Sequence, residues 1–418
     1  MKKIKTLKCI SCGKEHSLDE VKYVCSACGG NLEVIYDYNL IKKRFTQDEL
    51  KENSYLDMWR YADILPVDDL KDVSPLRIGY TPLYRNKRLA DEIGVGEIYI
   101  KDDTTNPSSS FKDRASAVVV KRLLETYDDD KRIIATASTG NAASSLSCIS
   151  ASLGIKNIIF VPETAPIPKI TQLLVFGANV IMVKGSYDDA FDLCVKACDE
   201  FGWYNRNTGY NPFTREGKKT AAFEICEQLE WEVPDKVFVP VGDGNIISGI
   251  WKGFLEFKKI GFIDKLPKLV AVQSENSNAV YNAFIKNTTT IEPVSGETIC
   301  DSISVKIPRD GLAALIALKE SGGFAVNVSD KEVLVAVKEF ASKTGVFAEP
   351  SAAAVYAGLK KAVNEDKVDR GDSVLLLITG SGLKDIDSAR KAISKAYRIE
   401  PDMNELKKII SSILNRGH

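Results

Sequence analysis

Histidine is scarce in this sequence. Only two occur in 418 residues: His16, close to a pair of cysteines, and His418, the last residue. Serine-hydrolase triads, histidine-ligated catalytic metals and histidine acid–base catalysis all need this side chain at a central site. The chemistry is therefore expected to depend on lysine, carboxylates, hydroxyl groups or a cofactor.

Net charge and long apolar runs are lacking too. The 56 basic and 57 acidic side chains nearly cancel, so no overall field favours nucleic acid or an anionic membrane as the main partner. No segment reaches the length of a membrane span, and the charged N-terminus leads into a cysteine pair without the apolar region of a signal peptide. A cytoplasmic protein is expected.

The chain has nine cysteines, an odd number that fits reduced thiols better than a disulfide framework. Four of them form two Cys-x-x-Cys pairs, Cys9 with Cys12 and Cys25 with Cys28. Two such pairs can complete a tetrahedral zinc site, and with all four ligands from the protein the site would be structural. This spacing predicts a zinc ribbon over residues 1–38; coincidental pairs or a redox dithiol are the alternatives.

From about residue 95, strand-like and helix-like segments alternate. This rhythm predicts an α/β fold with parallel sheets, arranged as two doubly wound lobes around a cleft. The strands are predicted at EIYIKDD, RIIATAS, NIIFVPE, VIMVKG, DKVFVPV, KLVAVQSE and SVLLLITG. The helices are predicted near residues 47–60, 216–230, 246–259, 330–344, 350–364 and 402–417.

Ligands of open α/β sheets bind beyond the carboxyl ends of the strands, so the strand-to-helix loops are the candidate sites. The first is NPSSSFKDRAS, in which Lys112 falls near the first turn of a helix. A positive charge there opposes the helix dipole, and the dipole and burial both lower the pKa of an amine, as a nucleophilic lysine requires. A surface lysine paired with Asp113 is the alternative.

The second loop places Ser138, Thr139, Gly140 and Asn141 between a strand and a helix. Backbone N–H groups and hydroxyls at a helix N-terminus form a carboxylate or phosphate site, although one such residue would suffice for an ordinary helix cap.

The third loop carries Gly242 and Gly244, which allow close approach of a phosphate. Ile247 stands where a dinucleotide loop needs a third glycine, and no Walker sequence follows, so a smaller phosphate compound is indicated. The fourth loop, from Thr379, offers a hydroxyl that can bond a ring nitrogen or cap a helix.

Together these motifs resemble the pyridoxal-phosphate enzymes of fold type II, and most closely the threonine synthases that carry an N-terminal zinc ribbon. The motifs that carry the resemblance, in order, are the ribbon, SFKDRAS, STGN, NPFTREGKKTAAFEICEQL, PVGDGNIISGIWKGF, EPSAAAVYAGL and TGSGLKD. The resemblance implies a homodimer and a large cofactor-binding lobe from residues 39–130 and 206–400. It also implies a small mobile lobe at 131–205 and a C-terminal helix at 401–418.

The resemblance also implies roles for single residues. Lys112 would be the catalytic lysine that holds pyridoxal phosphate covalently, and Phe111 would pack beside the ring. Asn141 would bond the phenolic oxygen, and Thr379 the pyridine nitrogen. The residues implied at the cofactor phosphate are Gly242, Asp243, Gly244 and Asn245, and those implied at the substrate are Ser138, Thr139 and Arg215.

The implied reaction converts O-phospho-L-homoserine and water to L-threonine and phosphate by γ-elimination and β-replacement. Several positions depart from the family pattern, among them Ser108 and Ser109 for Thr-Gly, Ser381 for histidine, and Arg215, which is displaced by one position. The basic candidates for a substrate phosphate are Lys169, Arg215 and Lys306.

Other functions stay open at this point. A relative with altered specificity could be a serine or threonine ammonia-lyase, or a cysteate synthase-like enzyme acting on O-phosphoserine. A NAD-dependent oxidoreductase could use Glu275 as its ribose acid, but it would lack the third glycine. A zinc-ribbon nucleic-acid binder is disfavoured by the balanced charge.

Overall fold

The computed structural model describes residues 3–20, 22–393 and 396–414. His418 and residues 415–417 of the predicted tail helix lie outside the described residues. None of the described helices is long and apolar enough to cross a membrane.

The described strands pair into three separate sheets. In chain order they are β1 (Ile4–Cys9), β2 (Glu15–His16), β3 (Leu32–Tyr36), β4 (Leu83–Arg85), β5 (Glu97–Asp102), β6 (Ile133–Ala137), β7 (Lys156–Pro162), β8 (Asn179–Val183), β9 (Tyr204–Asn205), β10 (Lys236–Pro240), β11 (Lys268–Ser274), β12 (Phe324–Val328) and β13 (Ser373–Ile378).

Helices connect most of the strands and cover the two larger sheets. They are α1 (Tyr38–Lys42), α2 (Gln47–Glu52), α3 (Lys87–Ile93), α4 (Lys112–Thr126), α5 (Asn141–Ser152), α6 (Ile167–Val175), α7 (Tyr187–Phe201), α8 (Phe213–Lys218), α9 (Thr220–Gln228), α10 (Asn245–Ile260), α11 (Ala279–Ile285), α12 (Gly311–Glu320), α13 (Asp330–Thr344), α14 (Pro350–Asn364), α15 (Ile386–Lys391) and α16 (Met403–Leu414).

The largest sheet has the strand order β12-β11-β10-β13-β5-β4. Its neighbours are parallel except β4 and β5, which are antiparallel. Alternate residues of β13 face opposite sides of the sheet, so that Leu375 and Leu377 join the core under α10, whereas Leu376 and Ile378 join the core under α14. Helices on both faces explain why the central strands are continuous apolar runs.

A second sheet has the order β8-β7-β6-β9, and all of its pairs are parallel. The smallest sheet, β2-β1-β3, is antiparallel and lies in the cysteine-rich N-terminal segment. The predicted α/β fold with parallel sheets is confirmed.

The short strands β4, β9 and β12 were not predicted. β4 and β9 contain three and two residues, which is too few for a period of two to be recognised. β12 has the sequence FAVNV and is an edge strand with Asn327 inside it. Only its parallel pairing with β11 makes it a strand.

Two helices differ from the sequence prediction in where they begin or end. The helix expected at 47–60 ends at Glu52, because Asn53 adopts an extended conformation, and a 3-10 helix, Met58–Ile64, begins after Asp57. The helix expected at 216–230 is present as α8 and α9, joined by Lys219 with φ −61° and ψ −22°.

Candidate active site

A cavity of about 410 Å³ opens at the carboxyl ends of β6, β7, β10 and β13. The four loops predicted from the sequence all contribute to its wall, and Lys112 reaches it from the start of α4. Because the strand ends of two sheets face this space, residues far apart in the chain meet there.

Lys112 is the first residue of α4 and is half-buried. Its helix is anchored at that end, since the Phe111 N–H donates to the Thr379 carbonyl over 2.9 Å. Burial lowers the pKa of the Lys112 amine, the nearby Arg206 lowers it further, and the Glu349 and Asp243 carboxylates oppose the shift. A lowered pKa leaves more of the amine neutral and nucleophilic near neutral pH.

Asp113 is not the partner of Lys112. Its carboxylate accepts hydrogen bonds from the Ser108 backbone N–H at 2.7 Å and from the Ser108 hydroxyl at 2.5 Å. The serine-rich loop is therefore folded over Asp113, and the alternative of a surface Lys112–Asp113 pair is not found. Ser109 adopts φ +60° in this loop, a left-handed conformation that favours glycine.

The loop of residues 138–141 lies at the N-terminus of α5. Ser138, Thr139, Gly140 and Asn141 all line the cavity, and the Ser138 hydroxyl accepts from the Gly140 N–H over 3.2 Å. Hydroxyls and N–H groups therefore converge at a positive helix end, an arrangement that can bind a carboxylate.

Glu349 is a buried carboxylate that the sequence motif EPSAAAVYAGL contained but that was not singled out. Asn141 Nδ2 donates to both of its oxygens, at 3.0 and 3.1 Å. Burial raises the pKa of Glu349, and hydrogen bonds from Asn141 and Ser302 oppose the shift. Its burial at the base of the STGN loop could have been found only from the fold.

The third loop forms a tight cradle at the N-terminus of α10. Gly244 has φ +89°, and a Cβ there would lie 2.7 Å from the Asp310 carbonyl oxygen. A Cβ on Gly242 would lie 2.9 Å from Ile303 Cα. Asp243 and Asn245 complete the cradle, since the Asp310 N–H donates to the Asp243 carbonyl and Asn245 Nδ2 donates to Asp310 Oδ2.

These residues fit pyridoxal phosphate. A glycine-lined helix N-terminus suits a phosphate group, an amine with a lowered pKa suits a carbonyl carbon, and the Thr379 side chain, which lines the same cavity, supplies a hydroxyl for a ring nitrogen. The geometry therefore brings most of the predicted cofactor residues to one space.

Arg215 and Phe111 are exceptions, because the structure does not bring them to the cavity wall. The Arg215 guanidinium donates to both Asp310 oxygens, at 2.7 and 2.6 Å, and to the Ser248 hydroxyl at 3.1 Å. Phe111 is fully buried with its ring 5.4 Å from the Arg114 guanidinium. Lys218, which the sequence did not single out, lines the cavity instead.

The other two basic candidates for a substrate phosphate differ from each other. Lys306 lines the cavity. Lys169 lies at a smaller adjoining pocket, where it forms an ion pair of 2.6 Å with Asp301.

The four predicted zinc ligands lie together, with their sulfur atoms within 4.8 Å of one another. Cys9 Sγ is 3.5 Å from Cys28 Sγ, and Cys12 Sγ is 3.7 Å from Cys25 Sγ. Thiolates in a tetrahedron about 2.3 Å from one zinc ion would be about 3.8 Å apart. The cluster therefore fits a Zn²⁺ ion bound by four cysteines.

The sequence matches the family described as "Pyridoxal-phosphate dependent enzyme" over residues 75–380. It is 43% identical to a threonine synthase of Methanocaldococcus jannaschii over 408 residues, which cover 97% of this chain and 99% of that protein. This chain belongs to the threonine synthase family. A threonine synthase of Methanosarcina acetivorans is 38% identical and covers 97% of the chain and 98% of its own length.

Two solved structures share the fold of this chain. Threonine deaminase isoform 2 from Solanum lycopersicum has a TM-score of 0.64 at 22% identity, covering 83% of this chain and 93% of that one. Diaminopropionate ammonia lyase from Escherichia coli has a TM-score of 0.66 at 18% identity, covering 83% and 92%. At these identities the likeness shows the shared fold.

Proposed function

We propose that this chain is a pyridoxal-phosphate-dependent lyase that converts O-phospho-L-homoserine and water to L-threonine and phosphate. The observation that carries the proposal is one cavity in which Lys112, the residue 138–141 loop, the glycine cradle and Thr379 meet. It occurs in a chain that is 43% identical to a threonine synthase over nearly its whole length.

When bound, pyridoxal phosphate supplies an electron sink for negative charge that develops on the substrate. The protein residues bind the cofactor, transfer protons and orient the substrate. Lys112 Nζ would hold the cofactor, and its lowered pKa favours the neutral amine, which can act as the base at Cα and at Cβ. Phosphate leaves from Cγ, which takes up one proton, water adds its hydroxyl group at Cβ, and Cα regains its proton, so the atoms balance. The loop at Ser138 and Thr139 orients the substrate carboxylate at the N-terminus of α5.

Three further groups of residues complete the proposed site. The backbone of Gly242, Asp243, Gly244 and Asn245 holds the cofactor phosphate. Asn141 bonds the phenolic oxygen of the ring, and Glu349 orients the Asn141 amide through its two hydrogen bonds. The Thr379 hydroxyl, in the cavity wall, would hydrogen-bond the ring nitrogen without protonating it, which would limit how much charge the ring withdraws.

We also propose that Cys9, Cys12, Cys25 and Cys28 hold a structural zinc ion. The support is the compact sulfur cluster, with all four positions supplied by the protein. The ribbon is tied to the cofactor cradle, since Asn31 Nδ2 donates to Asp310 Oδ1 at 3.0 Å and to the Arg309 carbonyl at 2.7 Å.

The domain division expected from the sequence is retained as part of the proposal. It consists of a ribbon at 1–38, a large lobe at 39–130 and 206–400, a mobile small lobe at 131–205 and a terminal helix at 401–418. A cytoplasmic homodimer is proposed with it. Light scattering after gel filtration tests the dimer, and a mass of one chain would refute it.

The experiment that tests the function compares four substrates with protein reconstituted with pyridoxal phosphate. Phosphate release and threonine formation are measured with O-phosphohomoserine, and the products of O-phosphoserine, threonine and serine are measured alongside. Equal amounts of phosphate and threonine from O-phosphohomoserine are expected. Faster release of ammonia from threonine or serine would instead assign an ammonia-lyase.

A further inference from the structure

Lys218 is a fully buried lysine in the wall of the active-site cavity. Its ammonium group donates to Asn245 Oδ1 over 2.5 Å, and within the described part of the chain it makes no ion pair with a carboxylate. An ammonium group carries three donors. The side chain therefore has N–H donors left over in the wall of the site, and a bound anion would favour its protonated form.

Among the described residues, the other fully buried lysines are paired with carboxylates. Lys101 pairs with Glu224 at 2.7 Å, and Lys219 pairs with Glu216 at 2.6 Å and with Glu256 at 2.7 Å. A buried charge without such a partner is costly. Lys218 thus lacks the carboxylate partners that Lys219 has. An anion that enters the cavity would supply such a partner.

Two cations and two carboxylates lie near Lys218. Burial lowers the pKa of Lys218 well below its ordinary value, the charges of Lys112 and Arg206 lower it further, and the Asp243 and Asp310 carboxylates oppose the shift. Arg206 is also fully buried, and it donates hydrogen bonds to the hydroxyls of Thr208 at 2.8 Å and Ser116 at 3.4 Å. The acceptor of Lys218, Asn245, is the first residue of α10, where the helix dipole is positive.

We propose that Lys218 binds a phosphate monoester in this cavity and takes the place expected for Arg215. The inference rests on the proposed function, because both the cofactor and the proposed substrate carry such a phosphate. Arg215 is held by Asp310 and does not line the cavity, whereas Lys218, three residues later, does. The phosphate ligated by Lys218 is that of the cofactor or that of the substrate, and the two are separable by experiment.

The test uses Lys218→Met, which removes the charge, and Lys218→Arg, which keeps it. Lys258→Met, at an exposed position on α10, removes an equal charge elsewhere and is the matched control. In the first arm, apo-protein is titrated with pyridoxal phosphate and the dissociation constant is measured. In the second arm, the loaded enzyme is assayed for kcat and KM with O-phosphohomoserine and for inhibition by inorganic phosphate.

Loss of a hydrogen-bonded charge should weaken phosphate binding by about 10- to 100-fold in one of the arms. A weaker cofactor affinity assigns the cofactor phosphate; a higher KM with weaker phosphate inhibition and a largely unchanged kcat assigns the substrate phosphate. Lys218→Arg should recover part of the loss and Lys258→Met should show none. If Lys218→Met matches the wild type in both arms, the proposal is wrong.

Thermal unfolding separates binding from folding. Apo Lys218→Met should be at least as stable as the wild type, because it no longer buries an unpaired charge, but inorganic phosphate should stabilise it less. If Lys218→Met does not fold, Lys218→Gln, which can still donate to Asn245, takes its place. Cofactor and phosphate titrations need no turnover, so they test Lys218 even if O-phosphohomoserine proves not to be the substrate.

Discussion

At the scale of single residues, the site depends on which charges are paired. Lys218 lines the cavity without an ion pair among the described residues, whereas Arg215 is neutralised by Asp310. Unpaired buried cations are the groups that an anionic ligand can stabilise. Within the described part of the chain, Lys218 therefore differs from Arg215 in having no carboxylate partner, and this leaves it able to bind a ligand.

Lys112→Ala should abolish covalent attachment of the cofactor. After reconstitution and borohydride reduction, intact-mass analysis should show one cofactor per wild-type chain and none on the variant, since no other amine would occupy that position. Turnover should fall by about 10³-fold or more. Lys258→Ala serves as the control, and an unchanged adduct on Lys112→Ala would contradict the assignment.

Arg215→Leu should act on stability more than on substrate affinity. Removing one partner of a buried ion pair costs about 3–5 kcal/mol, because Asp310 would keep its charge without a counterion. Urea unfolding measures this loss. In the folded enzyme loaded with cofactor, Arg215→Leu should raise the KM for O-phosphohomoserine less than Lys218→Met does. A larger rise in Arg215→Leu would indicate that Arg215 is the phosphate ligand.

At the scale of elements, α4 and α8 hold the site in place. Arg114 on α4 donates to Asp103 at 2.6 Å and 2.8 Å, which fixes the helix two residues beyond Lys112. The two helices touch through Gly217, where a Cβ would lie 2.0 Å from the Arg114 carbonyl oxygen. Glycine at this position allows the close approach that brings Lys112 and Lys218 to the same cavity.

The ribbon is a second element with a defined contribution. Cys12→Ser should reduce the zinc content of the purified protein from about one per chain to near zero, because an alcohol replaces a thiolate ligand. Metal analysis measures the content, and hydrogen exchange should show faster exchange in β1 and β3. Cys148→Ser, outside the cluster, is the control; full zinc in Cys12→Ser would refute the four-cysteine site.

At the scale of the whole molecule, buried ion networks join the segments. Glu224 accepts from Arg114 and pairs with Lys101, so these charges depress the pKa of Glu224 to about 2 against the effect of burial. Glu216, between Lys219 and Lys252, likewise has its pKa lowered to about 2. Glu216 thereby connects α8 to the ribbon strand β3, whose Tyr36 hydroxyl donates to it. Glu224 connects α9 to α4 through Arg114.

These pKa values predict acid instability. Because the folded-state pKa is lower than the unfolded one, the native state binds fewer protons, so the stabilisation is complete above the ordinary pKa of about 4.5 and is lost as the pH falls toward about 2. The free energy of unfolding should decrease by about 3 kcal/mol per carboxylate over this range. Urea titrations at stepped pH measure it, and Glu224→Gln should flatten the slope.

Much of the site was visible in the sequence because its geometry is local. A strand, a short loop with Gly, Ser or Thr, and a helix follow one another within a few residues at Ser138, Gly242 and Thr379. Parallel strands bring such loops to one edge of a sheet. The spacing of the four cysteines is a short-range pattern of the same kind, whereas the roles of Lys112 and Asn141 were implied by the family resemblance and stay predictions.

The sequence by itself determined the candidate loops, the ribbon spacing and the doubly wound class, since these depend on residue type and short spacings. The tertiary structure decided which buried cation faces the cavity. Every residue of α8 is buried, so helical periodicity cannot distinguish Arg215 from Lys218. The distinction comes from Asp310, 95 residues away in the chain, because only folding brings a carboxylate to one of the two cations and leaves the other for a ligand.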